Sequence, residues 1–413
     1  MRFIIDNEVV LSRPLEGPLA SQVTAFAKWV REQGYARHPR YRRVLLAACF
    51  SRWLGLKAVG VRHVSSEHQA RYLRVRARHV QIQSGDAAGL TQFMNFLRLR
   101  GIVPREKIPP RRLIPTEQVV RTFQRYLRKK RMLAEGTVAY YVAFVRKFLV
   151  DRFSHGPVKL LRLSAGDVVR FVQRQAPCLH LKRAKLLTTA LRSFLHYARY
   201  RGQVRCDLAA AVPTVASWSM PSIPRAIPAH AVRQLLASIN RRTAIGCRDY
   251  AILLLLARLG LRGGEVVRLR LKDIDWNAGS ITVQGKGDQR SVLPLPADVG
   301  SAIATYLRRG RPRCSSRHVF LRTTAPIRQL RGPASIAYLV QHNLARAGIQ
   351  APTNGAHQFR HALATEMLHR GASSLAEIGD VLRHRSPETT KIYTSIDLDS
   401  LRTLALPWPG GVR

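Results

Sequence analysis

Between His357 and Tyr393 the chain gathers groups suited to handling a phosphate. His357, Arg360, His361 and Ala364 recur at i, i+3, i+4 and i+7, a spacing that puts them on one helix face. His384 and Tyr393 follow. A guanidinium and imidazoles are natural donors to phosphate oxygens. A phenol held among cations has its pKa lowered from about 10, which makes Tyr393 a candidate covalent nucleophile. A second arginine is wanted for the other non-bridging oxygen. Arg262 supplies it, within Leu259-Gly260-Leu261-Arg262-Gly263-Gly264-Glu265. His357 and His361 at i, i+4 also match half of a zinc pattern. No glutamate follows His357 and no third ligand is evident, so neither metal nor cofactor is expected.

These groups need elements to position them. Gly371 is a natural stop for the helix carrying Arg360. Ser374-Leu375-Ala376-Glu377 is a capping box for a short second helix through Leu382. Ser386-Pro387 starts a third, with Tyr393 two turns in and His384 in the tight connection before it. Upstream, an apolar helix over Tyr250 to Ala257 leads to Arg262. Strands at Ser280 to Gln284 and Arg290 to Pro294 flank a Gly285-Lys286-Gly287-Asp288 turn with Lys286 at its tip. Glu265 either buttresses Arg262 or Lys286 or is exposed, and His361 either reaches the phosphate or packs behind Arg360.

The remainder of the chain reads as helical. Patterns run Leu19 to Gln33, Pro39 to Leu54, Ser65 to Arg74 and Ala87 to Arg100, after a short strand or arm over the first 15 residues or so. A proline-rich linker covers Pro104 to Pro115. Four more helices follow, near Thr116 to Arg131, Thr137 to Phe153, Ser164 to Gln173 and His180 to Tyr200. The two sets align: Phe26 and Trp29 with Phe123 and Tyr126, Tyr72 with Phe171, Phe93 and Phe96 with Phe194 and Tyr197. A duplicated four-helix unit is inferred. A second linker, Ala210 to Pro228, precedes the region with the chemistry. The expected domains are 1–108, 113–206 and 222–413.

Composition narrows the partner. The 413 residues hold 69 Lys and Arg against 24 Asp and Glu, a formal charge of +45 spread along the whole length. That excess points to a polyanion, most simply nucleic acid. No apolar run is long enough to span a bilayer, and the first residues lack the apolar core of a signal peptide. Five scattered cysteines without a Cys-x-x-Cys fit reduced thiols in a cytoplasmic protein.

Taken together, Gly260-Leu261-Arg262-x-x-Glu265, Gly285-Lys286-Gly287 before Arg290 to Leu295, His357-x-x-Arg360-His361, Leu382-x-His384 and Thr389-Thr390-x-x-Tyr393 resemble, in order, the tyrosine recombinase or phage integrase family. The resemblance covers roughly Ile227 to Leu404. It implies a mostly α fold with a small antiparallel sheet, the second helical unit being a SAM-like core-binding domain followed by a mixed α+β catalytic domain; the duplication makes the first unit a tandem copy of that helical domain. It implies a site-specific recombinase of bacterial, nucleoid-associated type, acting in integration, recombination or transposition without cofactor. Arg262, Arg360 and His384 would hold the phosphate, Tyr393 attack it, Lys286 protonate the leaving 5′ oxygen and His357 take or relay the tyrosine proton. Four protomers on two DNA sites, or partner recombinases of the same family, would form the synapse, with the segment after the tyrosine docking on a neighbour. The additional first bundle would bind DNA, pair protomers or pack on its sibling. Departures are Arg383 where the family usually has glycine, Ser395 where histidine is common, and Gln289 in place of a frequent basic residue. A DNA-binding relative without activity and a type IB topoisomerase are the rival readings.

Overall fold

The computed structural model describes residues 3–5, 9–105, 114–154, 156–215, 226–285, 289–351, 353, 355–369, 374–384 and 390. They are mostly helical, with one two-stranded and one three-stranded antiparallel sheet. The chain forms two compact units, residues 1–106 together with 221–413, and residues 107–220.

The first unit opens with β1 (Phe3–Ile5) and β2 (Val9–Leu11), paired so that Phe3 faces Leu11. The expected strand or arm is thus a hairpin, with Ile5, Val9 and Leu11 buried and Ile4 and Val10 exposed. Helices α1 (Ala20–Glu32), α2 (Arg37–Leu56), α3 (Ser66–Ala77) and α4 (Asp86–Leu99) follow. Helix α2 starts two residues before Pro39, which is tolerated there because first-turn amides have no partner within the helix. At the end of α1 the chain meets the later part of the unit. Gly34 lies at φ +80°, and Ile327 N–H donates to the Gln33 carbonyl at 3.0 Å. A β carbon on Gly34 would fall 2.4 Å from Ile327 Cγ1. Gly34→Ala is therefore expected to destabilise this unit by about 1–3 kcal/mol, through backbone strain and a displaced Ile327. Urea unfolding measures it, and an alanine variant as stable as the parent contradicts the account.

The second unit holds α5 (Pro115–Lys129), α6 (Glu135–Phe153), α7 (Ala165–Gln175) and α8 (Leu181–Tyr200). Its core repeats a ring cluster found in the first bundle. There, Phe26 lies 4.8 Å from Phe93 and 5.5 Å from Phe96, with Trp29 5.5 Å from Phe96. Here, Phe123 lies 5.3 Å from Phe194 and 5.4 Å from Tyr197, with Tyr126 4.8 Å from Tyr197. These are the residues that the two halves align. Phe50 with Tyr72 at 5.3 Å and Phe148 with Phe171 at 5.1 Å form a further matching pair.

The rest of the first unit is built around α10 (Ala244–Leu259). Ala251 to Leu256 are all buried, so this helix is apolar on every side and forms the centre of its core. Buried Asp249 accepts from Arg248 at 2.7 Å and from Asn343 Nδ2 at 3.1 Å, which ties α10 to α13 (Pro333–Arg346). Around α10 lie α9 (Ala229–Ala237), α11 (Gly263–Arg268), α12 (Ala297–Thr305), α14 (His357–His369) and α15 (Leu375–Leu382). Strands β3 (Ile274–Asp275), β4 (Ser280–Gln284) and β5 (Arg290–Pro294) form the antiparallel sheet in that order. Helix α11 and strand β3 are too short to show a period in sequence. Among the described residues no helix is long and apolar enough to cross a membrane.

Candidate active site

The site begins where α10 stops. Gly260 caps α10 in the left-handed conformation, φ +54°. A β carbon there would lie 3.0 Å from Leu382 Cδ2 and 3.1 Å from Leu363 Cδ2, so glycine lets α14 and α15 close on the helix end. The Gly260 carbonyl accepts from Arg360 Nη1 at 2.8 Å. Arg360 Nη2 donates to the Leu382 carbonyl. Arg360 is thus 3% exposed and held by the ends of two other elements.

Arg262 opens α11 two residues later. Its backbone N–H donates to Glu265 Oε2 at 2.9 Å and its Nη1 to Glu265 Oε1 at 2.9 Å. Its Nη2 donates to the Arg383 carbonyl at 3.4 Å. Glu265 is 1% exposed and also accepts from Arg383 Nη2, at 3.1 Å. Of the alternatives the sequence leaves for Glu265, the structure shows it buried and bonded to Arg262. Burial pushes the Glu265 carboxyl up, but the Arg262 amide, the charge of Arg383 and the Arg262 guanidinium together hold it below its ordinary pKa.

His384 follows α15, whose opening capping box, Ser374 to Glu377, is present as the sequence predicts. Its Nδ1 lies 2.8 Å from Thr390 Oγ1. Thr390 is 3% exposed and packs on Gly379, where a β carbon would come within 3.0 Å of its hydroxyl. Burial first, then the charges of Arg360, Arg262, His361 and Arg383, push the His384 pKa down to about 4. The ring is therefore neutral at pH 7. In the tautomer whose Nδ1 accepts from the Thr390 hydroxyl, the ring proton sits on Nε2 and that nitrogen is a donor. The folded pKa lies below the unfolded value of about 6.5, so the stability tied to the neutral ring is present above that pH. It is lost as pH falls from about 6.5 towards about 4. His384→Gln is expected to flatten stability over this window. Denaturant unfolding at pH 7 and pH 5 tests this, and a pH-dependence identical in parent and variant refutes it.

The structure thus places Arg262, Arg360 and His361 close enough to His384 for their charges to act on its ring. His357 is exposed at the start of α14, its ring 6.3 Å from that of His361. The shared helix face expected from spacing therefore grades from buried Arg360 and Ala364, through half-buried His361, to the surface at His357. Lys286, Tyr393, the Gly371 stop and the helix expected from Ser386-Pro387 lie outside the described residues. Beyond the ends of β4 and β5, Gly285 N–H donates to the Gln289 carbonyl at 2.7 Å. Two other tyrosines of this region do not fit a nucleophile. Tyr306 is fully buried and its hydroxyl accepts from Leu321 N–H, while Tyr338 is exposed and stacks on His342. Among the described residues no cluster of three or more His, Cys, Asp or Glu could hold a metal.

The sequence pattern of the phage integrase family matches residues 225–399. A putative integrase/recombinase of Sinorhizobium fredii (strain NBRC 101917 / NGR234), y4rA, is 52% identical over 410 residues, 99% of each chain. The chain belongs to the phage integrase family of tyrosine recombinases. The tyrosine recombinase XerD of Yersinia pestis is 31% identical to it over 283 residues, 67% of this chain and 91% of XerD. In fold, this recombinase resembles XerH in its post-cleavage complex with palindromic difH substrate, with TM-score 0.57 and 21% identity over 73% of this chain and 99% of that one. Spacing missed two members of this cluster, Arg383 and the Thr390 hydroxyl. Thr390 belongs to a recognisable motif, and Arg383 stands out as a departure from one.

Proposed function

We propose that this recombinase cuts and rejoins specific sites in double-stranded DNA through a 3′-phosphotyrosyl ester on Tyr393. The convergence of Arg262, Arg360 and a neutral His384 on the linked ends of α10, α14 and α15 carries the reading. Two guanidiniums and an imidazole N–H match the non-bridging oxygens of a phosphodiester and the charge that develops on them. The Tyr393 oxygen bonds to phosphorus as the bond to the 5′ oxygen breaks. His357 takes or relays the phenol proton, and Lys286 gives one to the departing 5′ oxygen. A 5′ hydroxyl from another strand reverses the step, and the ester conserves the bond energy between the two. Recombination on this scheme uses four protomers, or this chain with partner recombinases, on two sites.

The matched ring clusters support reading residues 1–108 as a copy of the core-binding unit at 113–206, ahead of a catalytic domain at 222–413. With basic residues in all three parts, DNA affinity is expected to fall steeply with salt, each neutralised phosphate adding about −0.9 to the slope of log K against log salt. A slope near zero in a titration series removes the electrostatic reading. The function is tested by mixing the protein with labelled, nicked duplexes tiled across the DNA flanking its gene. A covalent adduct on a denaturing gel is expected. Binding without adduct identifies an inactive relative, and plasmid relaxation without recombinants identifies a topoisomerase-like activity.

A further inference from the structure

Arg383 occupies a backbone position built for glycine. It caps α15 at φ 55° and ψ 49°, the left-handed region that any residue with a β carbon enters at a cost. Its side chain is nonetheless only 12% exposed, and its Nη2 bonds to Glu265 Oε2 at 3.1 Å. The same oxygen accepts the Arg262 backbone N–H, and the other accepts Arg262 Nη1. A buried carboxylate thus lies between two guanidiniums.

We propose that Arg383 is a positioning residue for strand cleavage: it anchors Glu265, so that the carboxylate orients Arg262 without cancelling its charge. The proposal rests on the reading that Arg262 binds the scissile phosphate. With Arg383 present, the trio around the buried carboxylate carries two positive charges and one negative, and remains net positive. Without it, Arg262 and Glu265 form a neutral pair. Such a pair attracts an incoming phosphodiester weakly, and still more weakly the added charge of the transition state, in a region that water screens poorly. Glu265 Oε2 would also lose one of its two donors and its hold on direction. The Arg383 carbonyl makes a separate contribution, accepting from Arg262 Nη2 at 3.4 Å. Glycine preserves that carbonyl and suits the backbone better than arginine does, so the contribution of the side chain can be isolated.

The test compares the parent with Arg383→Gly, Arg383→Ala and Arg383→Lys on the tiled nicked duplexes. It measures melting temperature, DNA Kd and single-turnover adduct formation for each. Arg383→Gly is expected to melt no lower than the parent and to bind DNA within about threefold of it, while forming adduct at least about tenfold more slowly. Arg383→Lys restores the cation on an equally strained backbone. It is expected to cleave faster than both the glycine and alanine variants, a rescue that a purely structural role would not produce. Arg383→Gly cleaving at the parental rate, or Arg383→Lys cleaving no faster than Arg383→Gly, overturns the proposal. If the parent forms no adduct on any duplex, the functional reading itself fails and takes the proposal with it.

Discussion

Tyr393→Phe is expected to eliminate the covalent adduct, slowing cleavage by at least about 10⁴-fold while leaving folding and DNA affinity little changed. The substitution removes one hydroxyl and no charge. Neither of the other tyrosines weighed as nucleophile can take over. The Tyr306 hydroxyl is engaged with Leu321 inside the core, where burial pushes its pKa up, and Tyr338 is on the exposed surface of α13. The measurement is a denaturing gel with labelled, nicked target DNA. An adduct that persists in the phenylalanine variant refutes both the nucleophile and the mechanism built on it.

Arg360→Ala is expected to have the next largest effect, with two separable parts. Loss of a guanidinium at the phosphate lowers the cleavage rate by about 10²–10³-fold or more. Loss of the same group from the protein interior removes the donors to the Gly260 and Leu382 carbonyls. Leaving those acceptors unsatisfied costs about 1–3 kcal/mol each. Arg360→Lys keeps the charge but lacks the fork, so it should recover stability only in part and cleavage poorly. Urea unfolding and single-turnover cleavage separate the two effects. Parental stability in Arg360→Ala would mean that the carbonyl contacts are not important to the fold. Parental cleavage would remove Arg360 from the site. Arg262→Ala is expected to match the loss in cleavage with less loss of stability, because its guanidinium is the more exposed of the two.

Much of the fold and the site is legible in the sequence alone, for reasons specific to each element. Strands β4 and β5 end where the sequence places them because a Gly-Lys-Gly turn separates two short β-rich runs. The eight helices of the two bundles are visible from apolar spacing, with boundaries shifted by up to three residues where no strong cap fixes them. The wide turn at Tyr306–Gly310, which ends α12, has no signature in local sequence. At the site, the arginines, the histidines and the tyrosine could be named from type and order. What could not be read was how they are held: the carbonyls of Gly260, Leu382 and Arg383 are backbone atoms, identical in every residue, and only the fold brings them to a guanidinium. The burial of Glu265 was equally invisible, since its two cationic partners lie three residues away in one case and 118 in the other.

The seat of Thr390 has a consequence for how protomers share labour. Its hydroxyl is tied to His384, and it packs against Gly379, within its own chain. Three residues of chain reach at most about 10 Å. Were Tyr393 the nucleophile proposed above, its own chain would hold it within that reach of the residue tied to His384, and lending it to another subunit would first require Thr390 to leave this seat.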